Sequence, residues 1–235
     1  MRRILVFALL LPAATPLVAH AQDACADLPK FFSRPPKIGE WAEFTWQKEG
    51  KADPQQMRMA VVKEERRQGK RMYWLQVVMN DKTPSKRTVV QTLTPWEQSG
   101  LVGENAVEVV MKIGDQPAMK TGPELAKSAG RADWREACKD SKFVGEESVS
   151  VPAGTFQARH YTSPEGDTWA SMDAPVWHLV KMSSKDGSTM VLSSAGMGAK
   201  NEITEQPVDM KAMMADPEAM RRMSEEMKKG GQPKK

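Results

Sequence analysis

The chain has little of what most catalytic and metal-binding sites are built from. It holds two cysteines, two tyrosines and three histidines in 235 residues. Two cysteines exclude a disulfide-dense scaffold and a cysteine-rich metal cluster. His160 and His178 are the histidines outside the N-terminal leader described below, and they could neighbour one another on adjacent strands. Two imidazoles with no spare cysteine and no spaced carboxylate make a poor zinc site, so no metal ligands are assigned to them. No Gly-x-Ser-x-Gly elbow and no His-Glu-x-x-His is present, and Gly196-Met197-Gly198 lacks the third glycine of a nucleotide loop. Glu64-Glu65 and Glu146-Glu147 are adjacent pairs; on strands, neighbours point to opposite faces and cannot form a catalytic dyad by themselves. The reading is of a non-catalytic protein without a cofactor. Charge of one sign is missing too. Lys and Arg number 34 against 30 Asp and Glu, and the excess is more than covered by Arg2, Arg3 and the tail residues Lys228, Lys229, Lys234 and Lys235. Charges interleave, as in Lys63-Glu64-Glu65-Arg66-Arg67, which argues against a nucleic-acid partner.

After Val18 there is no apolar run of membrane-spanning length, so no transmembrane segment is expected in the mature chain. The run before it belongs to a different device. Met1-Arg2-Arg3 is basic, Ile4 to Val18 is apolar, and Ala19-His20-Ala21 is a small-x-small cleavage site. That is the layout of a secretory signal peptide over residues 1–21, cut before Gln22, and it implies a periplasmic location. In an oxidising compartment Cys25 and Cys138 pair as a disulfide. The bridge would close a 113-residue loop, which chain-entropy arguments value at roughly 4–5 kcal/mol before native strain is subtracted. Lipidation of Cys25 is the alternative, but Gln22-Asp23-Ala24 lacks the apolar residue that a lipobox places before its cysteine.

What is present from Ile38 onward is period-2 patterning. Ala42, Phe44 and Trp46 alternate with Glu43 and Thr45; Met57, Met59 and Val61 alternate with Arg58 and Ala60. Gln68-Gly69 makes a turn, and Met72–Met79 reads as a strand covered on both faces. Val107, Val109, Met111 and Ile113 form another strand pattern. Between Met119 and Lys142 a loop with short helices is expected, at 122–127 and 131–138. Strands then resume at Val149–Val151, Thr155–Tyr161, Thr168–Met172, Trp177–Ser183 and Thr189–Ser193. The Asp186-Gly187 pair predicts a two-residue hairpin with positive φ at both central positions. Ten or so strands with little helix predict a mainly β fold, a strongly curved antiparallel sheet forming a half-barrel or open barrel. Residues 22–206 make one domain. From Pro207 the tail turns helical, with Asp216 as N-cap and Pro217 at the first helical position. Met220, Met223 and Met227 then share one helix face before Gly230-Gly231 and a basic end.

Methionine is abundant, 17 in all. Met57, Met59, Met72, Met79 and Met111 fall in strand patterns and read as core. The tail set, Met210, Met213, Met214, Met220, Met223 and Met227, offers Cu(I) binding as an alternative reading, since thioethers are soft ligands. Seven tryptophans stand among few other aromatics. Core packing is the ordinary role for Trp41, Trp46, Trp74, Trp169 and Trp177; the functional alternative is the wall of an apolar cavity.

The stretch Val149-Ser150-Val151-Pro152-Ala153-Gly154-Thr155-Phe156, Ala158-Arg159-His160-Tyr161, Gly166-Asp167-Thr168-Trp169, and Ala174 through Lys181 to Asp186-Gly187 carries a recognisable cadence of strands and turns. Over residues 149–203 it resembles the closing strands of periplasmic lipoprotein-carrier proteins, the LolA/LolB-like half-barrels and their relatives. The resemblance implies a curved sheet around an apolar cavity that takes up acyl chains. The functional expectation is a binding protein whose concave face holds an apolar small molecule, a lipid or a lipoprotein segment. Its wall would include Phe44, Trp46, Trp74, Val109, Met111, Phe156, Trp169 and Trp177, with Met220, Met223 and Met227 as a lid. An envelope interaction or structural protein with a filled sheet is the competing expectation.

Overall fold

The computed structural model describes residues 35–49, 54–79, 84–95, 106–122 and 138–216, together with 218 and 221. The leader, Cys25, the tail residues Met220, Met223 and Met227, and nearly all of the two mid-chain helices expected from sequence lie outside the described residues. The described residues form twelve strands: β1 Trp41–Lys48, β2 Gln55–Arg67, β3 Lys70–Met79, β4 Thr88–Thr94, β5 Glu108–Ile113, β6 Met119–Thr121, β7 Lys142–Val151, β8 Gly154–Ser163, β9 Gly166–Ala170, β10 Leu179–Ser184, β11 Ser188–Gly196 and β12 Val208–Asp209. A short helix, α1 Met210–Ala215, follows. All twelve strands belong to one open sheet in the order β12-β6-β5-β4-β3-β2-β1-β11-β10-β9-β8-β7. Every pairing is antiparallel except β12 with β6.

The order resolves into two meanders, β1 to β6 and β7 to β11, joined where β11 pairs with β1. Phe44 of β1 sits between Leu192 of β11 and Met57 of β2. Both Phe44 and Leu192 are fully buried, a burial worth about 1.5–3 kcal/mol per side chain. Gly196 ends the seam. A Cβ there would stand 2.9 Å from the Trp41 ring, so only glycine lets the indole lie against β11.

The sheet curls. In a flat sheet β7 would lie three strand spacings from β10, roughly 14 Å away, and four from β11. Instead β7 touches both, and Ala153 in the β7–β8 turn donates its N–H to Leu192 O at 3.3 Å. The hairpin thus folds over one face and lays Val149, Val151, Ala153 and Phe156 onto a core built from Phe44, Met59, Val61, Tyr73, Leu75, Val180 and Leu192. The loop between β9 and β10 adds Ala174 and Val176 to this inner core. Val176 takes φ 61° and His178 φ 57°, conformations that side chains rarely adopt and that cost on the order of 1–3 kcal/mol. Ser171 N–H bonded to His178 O at 2.8 Å holds the loop ends together.

The opposite face carries a second core of Ala60, Val62, Met72, Trp74, Val78, Val89, Leu93 and Val110, sealed by Ala199 and Ile203. These last two belong to a strap, residues 197–207, that crosses from β11 to β12. Ala199 N–H bonds to Gly39 O at 3.0 Å at one end, and Val208 N–H to Ala118 O at 2.8 Å at the other. Between them the strap is held by a polar ladder. Gln91 Nε2 donates to Gln76 Oε1 at 2.8 Å and to Asn201 Oδ1, and Glu202 N–H donates to Gln76 Oε1 at 3.0 Å. Arg87 pairs with Glu202, and Lys112 with Glu205 at 2.6 Å. Gln76 and Gln91 are buried, where unmatched amides would be costly, so the strap is specified by hydrogen bonds rather than by grease alone.

Several local expectations are corrected. β4 was not anticipated, and β7 begins at Lys142 rather than Val149. Met119–Thr121 is a strand, not loop. β9 and β10 occupy Gly166–Ala170 and Leu179–Ser184, each displaced from its expected span. The two-residue turn with φ positive at both positions occurs at Gln68-Gly69, at 51° and 76°. At Asp186-Gly187 only Gly187 is positive, at 80°. Gly187 N–H bonds to Ser184 O at 3.1 Å, giving a three-residue loop whose glycine takes the left-handed position. The carboxylate of Asp186 accepts from Lys48 Nζ at 2.8 Å and from Ser188, which holds its pKa down at about 2. A short helix that was not expected, α1, stands ahead of the expected tail-helix start. Asp209 Oδ1 accepts the N–H groups of Lys211 and Ala212 and so caps α1, and Asp216 Oδ1 accepts Glu218 N–H at 2.9 Å, as the expected N-cap would.

Replacing Gln91 by Leu should destabilise the protein by about 1–3 kcal/mol, because the acceptors on Gln76 and Asn201 lose their buried donor. Urea midpoints of Gln76→Leu, Gln91→Leu and the double variant test this: the double should cost less than the two singles added together.

Candidate functional site

The face toward which the sheet curls can be read row by row from the strand register. One row runs Ala42–Met59–Val77–Val90–Met111–Met119 across β1 to β6. The next runs Leu192–Phe44–Met57–Met79–Thr88–Ile113 from β11 to β5. Near β1 these rows are buried, but Met57, Val77, Met79, Val90, Met111, Ile113 and Met119 are only half-buried. On the same strands the opposite face is closed: Ala60, Val78, Val89 and Val110 are buried beneath or beside the strap. The sheet therefore has one sealed face and one half-open apolar face. Four of the half-buried residues are methionines, flexible side chains that adapt to irregular apolar surfaces.

The wall residues expected from sequence divide between these faces. Phe44, Phe156, Trp169 and Trp177 come together in or against the inner core. Val109, whose lateral neighbour is Thr92, shares the inner face with Met111, since both alternate with the outward Val110. Trp74 belongs to the sealed outer core instead, its indole N–H donating to Glu65 Oε2 at 2.9 Å. Trp46 is on the inner-face row next to Met190, but nearly half of its surface is open to solvent. Of the strand methionines read as core, Met59 and Met72 are buried, whereas Met57, Met79 and Met111 are not fully so. The half-buried Val77, Val90 and Ile113 were missed. Val90 lay in the unanticipated β4; Val77 stood in a run that looked apolar on both sides.

The histidines are not on adjacent strands: His160 is on β8, whereas His178 lies in the loop between β9 and β10. His160 is the centre of a polar node on β7, β8, β9 and β10. Its ring stacks on Trp169 with centroids 4.4 Å apart and planes 15° apart. Nε2 lies 3.0 Å from Asp167 Oδ1, and Nδ1 lies 3.3 Å from Glu147 Oε1. Trp169 N–H donates to the same Glu147 carboxylate, and Lys181 Nζ stands 4.6 Å from the indole centroid. The hydrogen bond from His160 is the largest influence holding the Asp167 carboxyl below its ordinary range, with Thr162 adding to it. Every polar group of the node has a partner within it, so the node reads as a clamp across the edge hairpin. On the outer face, burial pushes Glu65 up, but donors from Trp74 and Arg67 outweigh it and leave the carboxyl below its usual value. Arg67 also pairs with buried Glu108 at 2.7 Å, which Lys120 joins at 3.1 Å. Among the described residues no group of three or more His, Cys, Asp or Glu side chains is arranged to hold a metal. Cys138 is buried, and its expected partner Cys25 lies outside the described residues.

No protein-family model and no curated protein matches this sequence. Among solved structures the chain is similar to a Bacteroides fragilis protein described as exported with a YmcC-like fold, at TM-score 0.36 and 14% identity over 69% of this chain and 97% of that one. It is similar to a DUF1329 family protein from Desulfovibrio piger, at TM-score 0.36 and 11% identity over 83% and 97%. It also matches the Pseudomonas aeruginosa MucA/MucB complex, at TM-score 0.42 and 12% identity over 76% of this chain. The chain spans 57% of that protein's length. None of these likenesses reaches TM-score 0.5, and none assigns the chain to a family.

Replacing His160 by Phe keeps an aromatic ring on Trp169 but removes the donor to Asp167, whose pKa should rise back toward the ordinary carboxylate range. A depressed carboxyl pKa contributes stability above its unfolded value and loses it as pH falls through the folded one. The variant should thus lose less stability than the wild type on acidification. Carboxyl titration by NMR would show it, and an unmoved Asp167 would contradict the assignment.

Proposed function

We propose that this chain is a non-catalytic periplasmic binding protein that holds an apolar, lipid-like ligand or a lipoprotein-derived segment against the inner face of its sheet. The observation that carries the reading is the asymmetry between faces: the strap seals one side of β2 to β5, while the other keeps seven half-buried apolar side chains. A soluble domain that can close both faces of a sheet and leaves one partly open has apolar surface available for another molecule. Val109, Met111, Phe44 and Phe156 would then act as wall, and Trp169 and Trp177 as the end nearer the edge hairpin. The ligand class agrees with the resemblance of residues 149–203 to lipoprotein carriers.

The leader over residues 1–21, the sheet domain over 22–206 and the Met-rich tail over 207–235 belong to the same proposal. α1 packs beside β6 and β12, so a lid formed by Met220, Met223 and Met227 would start from the edge where Met111 and Met119 lie. Export would leave Gln22 as the first residue and pair Cys25 with buried Cys138.

Two measurements test the reading. Native mass spectrometry of protein secreted and purified without detergent should show a chain beginning at Gln22, two hydrogens lighter than the reduced form, with a co-purifying lipid. Met111→Lys and Val90→Lys each put an ammonium on the half-open face and should weaken a fluorescent fatty-acid probe by tenfold or more, roughly 1.4 kcal/mol, with circular dichroism unchanged. Absence of both lipid and probe binding in the wild type would overturn the proposal.

A further inference from the structure

The register places methionines opposite one another in three cross-strand pairs: Met57 with Met79, Met111 with Met119, and Met182 with Met190. In the third an exposed aromatic ring is next in the same row, whereas the ring beside Met57 in the first, Phe44, is fully buried. Trp46 of β1 lies directly opposite Met190 of β11, which lies directly opposite Met182 of β10. Side chains directly opposite on adjacent antiparallel strands leave the same face with Cβ atoms about 4.5–5.5 Å apart, within reach of one another for a three-bond thioether arm. Met190 is half-buried and packed against the inner core, which anchors it. Met182 is 36% exposed and Trp46 48% exposed, so the row is open to an ion from solvent.

We infer that Met182, Met190 and Trp46 form a binding site for a soft monovalent cation of the Cu(I) or Ag(I) class. Thioether sulfur selects soft d10 cations over the hard ions that oxygen ligands prefer. Two sulfurs on neighbouring strands provide a two-coordinate clamp, and the indole face adds attraction for positive charge at the open side. Its neighbours in register are neutral, Thr168 beyond Met182 and Gln55 beyond Trp46, so no carboxylate stands in the row itself to favour a hard divalent ion. The one cation two residues along β1, Lys48, is neutralised by Asp186 at 2.8 Å. Binding is simple coordination, with no electron transferred and no bond broken. The site differs from the Met-rich tail and from the lipid face proposed above, whose half-open rows lie on β2 to β6.

The test is titration of Ag(I) into the full exported chain, followed by indole emission and by isothermal calorimetry. Ag(I) needs no reductant. The part of the emission change that disappears in Trp46→Phe reports this site alone. It should saturate near one equivalent, and Met182→Leu/Met190→Leu should weaken it by about tenfold or more, while leaving Zn(II) and K(I) without effect in every variant. Leucine preserves the apolar volume, so an unchanged thermal midpoint shows that folding is intact. A Trp46 signal that survives replacement of both methionines, or no Trp46-dependent signal in the wild type, overturns the assignment.

Discussion

The pairing of β1 with β11 is the contact on which the rest of the molecule depends. Each meander could form from local hairpins, but the two become one sheet only when Trp41–Lys48 finds Ser188–Gly196, some 150 residues later in the chain. That closure is entropically slow and carries no local turn to guide it. The residues at the seam answer the difficulty with burial and fit. Phe44 and Leu192 are fully buried against each other's strands, Gly196 makes room for Trp41, and Lys48 reaches Asp186 at the far end. Because β1 is paired on both sides, a slip of one residue would turn Phe44 outward and Glu43 into the core. The register is fixed by that penalty.

Once the seam is formed, the two faces acquire different fates. The chain leaves β11 at Gly196 and returns to the other end of the sheet to pair β12 with β6, crossing the outer face on the way. Gln76 and Gln91 point to that face and meet the strap's own polar groups. Their amides would be a defect in an apolar layer, yet they give the strap a single docking position that grease could not specify. On the inner face the β7–β8 hairpin, two strands of ten residues each, folds back from the edge, meets Leu192 at its turn and joins a core that extends to β3. The half-buried apolar side chains lie further along the same face, on β2 to β6.

Much of this was legible in the residues. Alternation in Ala42–Trp46 and Met57–Val61 identified strands because one face of each is buried more than the other, whereas Val107–Ile113 alternates although Glu108 and Val110 on its other face are buried too. β4 escaped because Thr-Val-Val-Gln-Thr-Leu-Thr does not alternate: it is a central strand whose polar Gln91 is buried by pairing with Gln76 and Asn201, contacts that arise only after the strap has docked. Trp74 was placed on the wrong wall for a related reason. Met72–Met79 is apolar on both sides, so the residues alone do not say which alternate set faces inward; that is decided by the pairing of Met59 with Val77 and Val61 with Leu75, which turns the odd-numbered set toward the inner core and Trp74 away from it. Tertiary pairing, not propensity, settled both.

The same reasoning explains why Trp46 is exposed although tryptophan is among the side chains with most to gain from burial. Its position follows from Phe44, two residues earlier, whose burial fixes the phase of β1. Trp46 must then lie on the inner face opposite Met190, yet it stands beyond the reach of the hairpin tip that covers Phe44 and Leu192. Moving it under cover would require breaking the β1–β11 register, at the loss of the two best-buried side chains of the seam. The exposed indole is thus held in place by the burial of Phe44 in the same strand, and exposed apolar surface fixed in this way is surface that a bound partner, ionic or apolar, can cover.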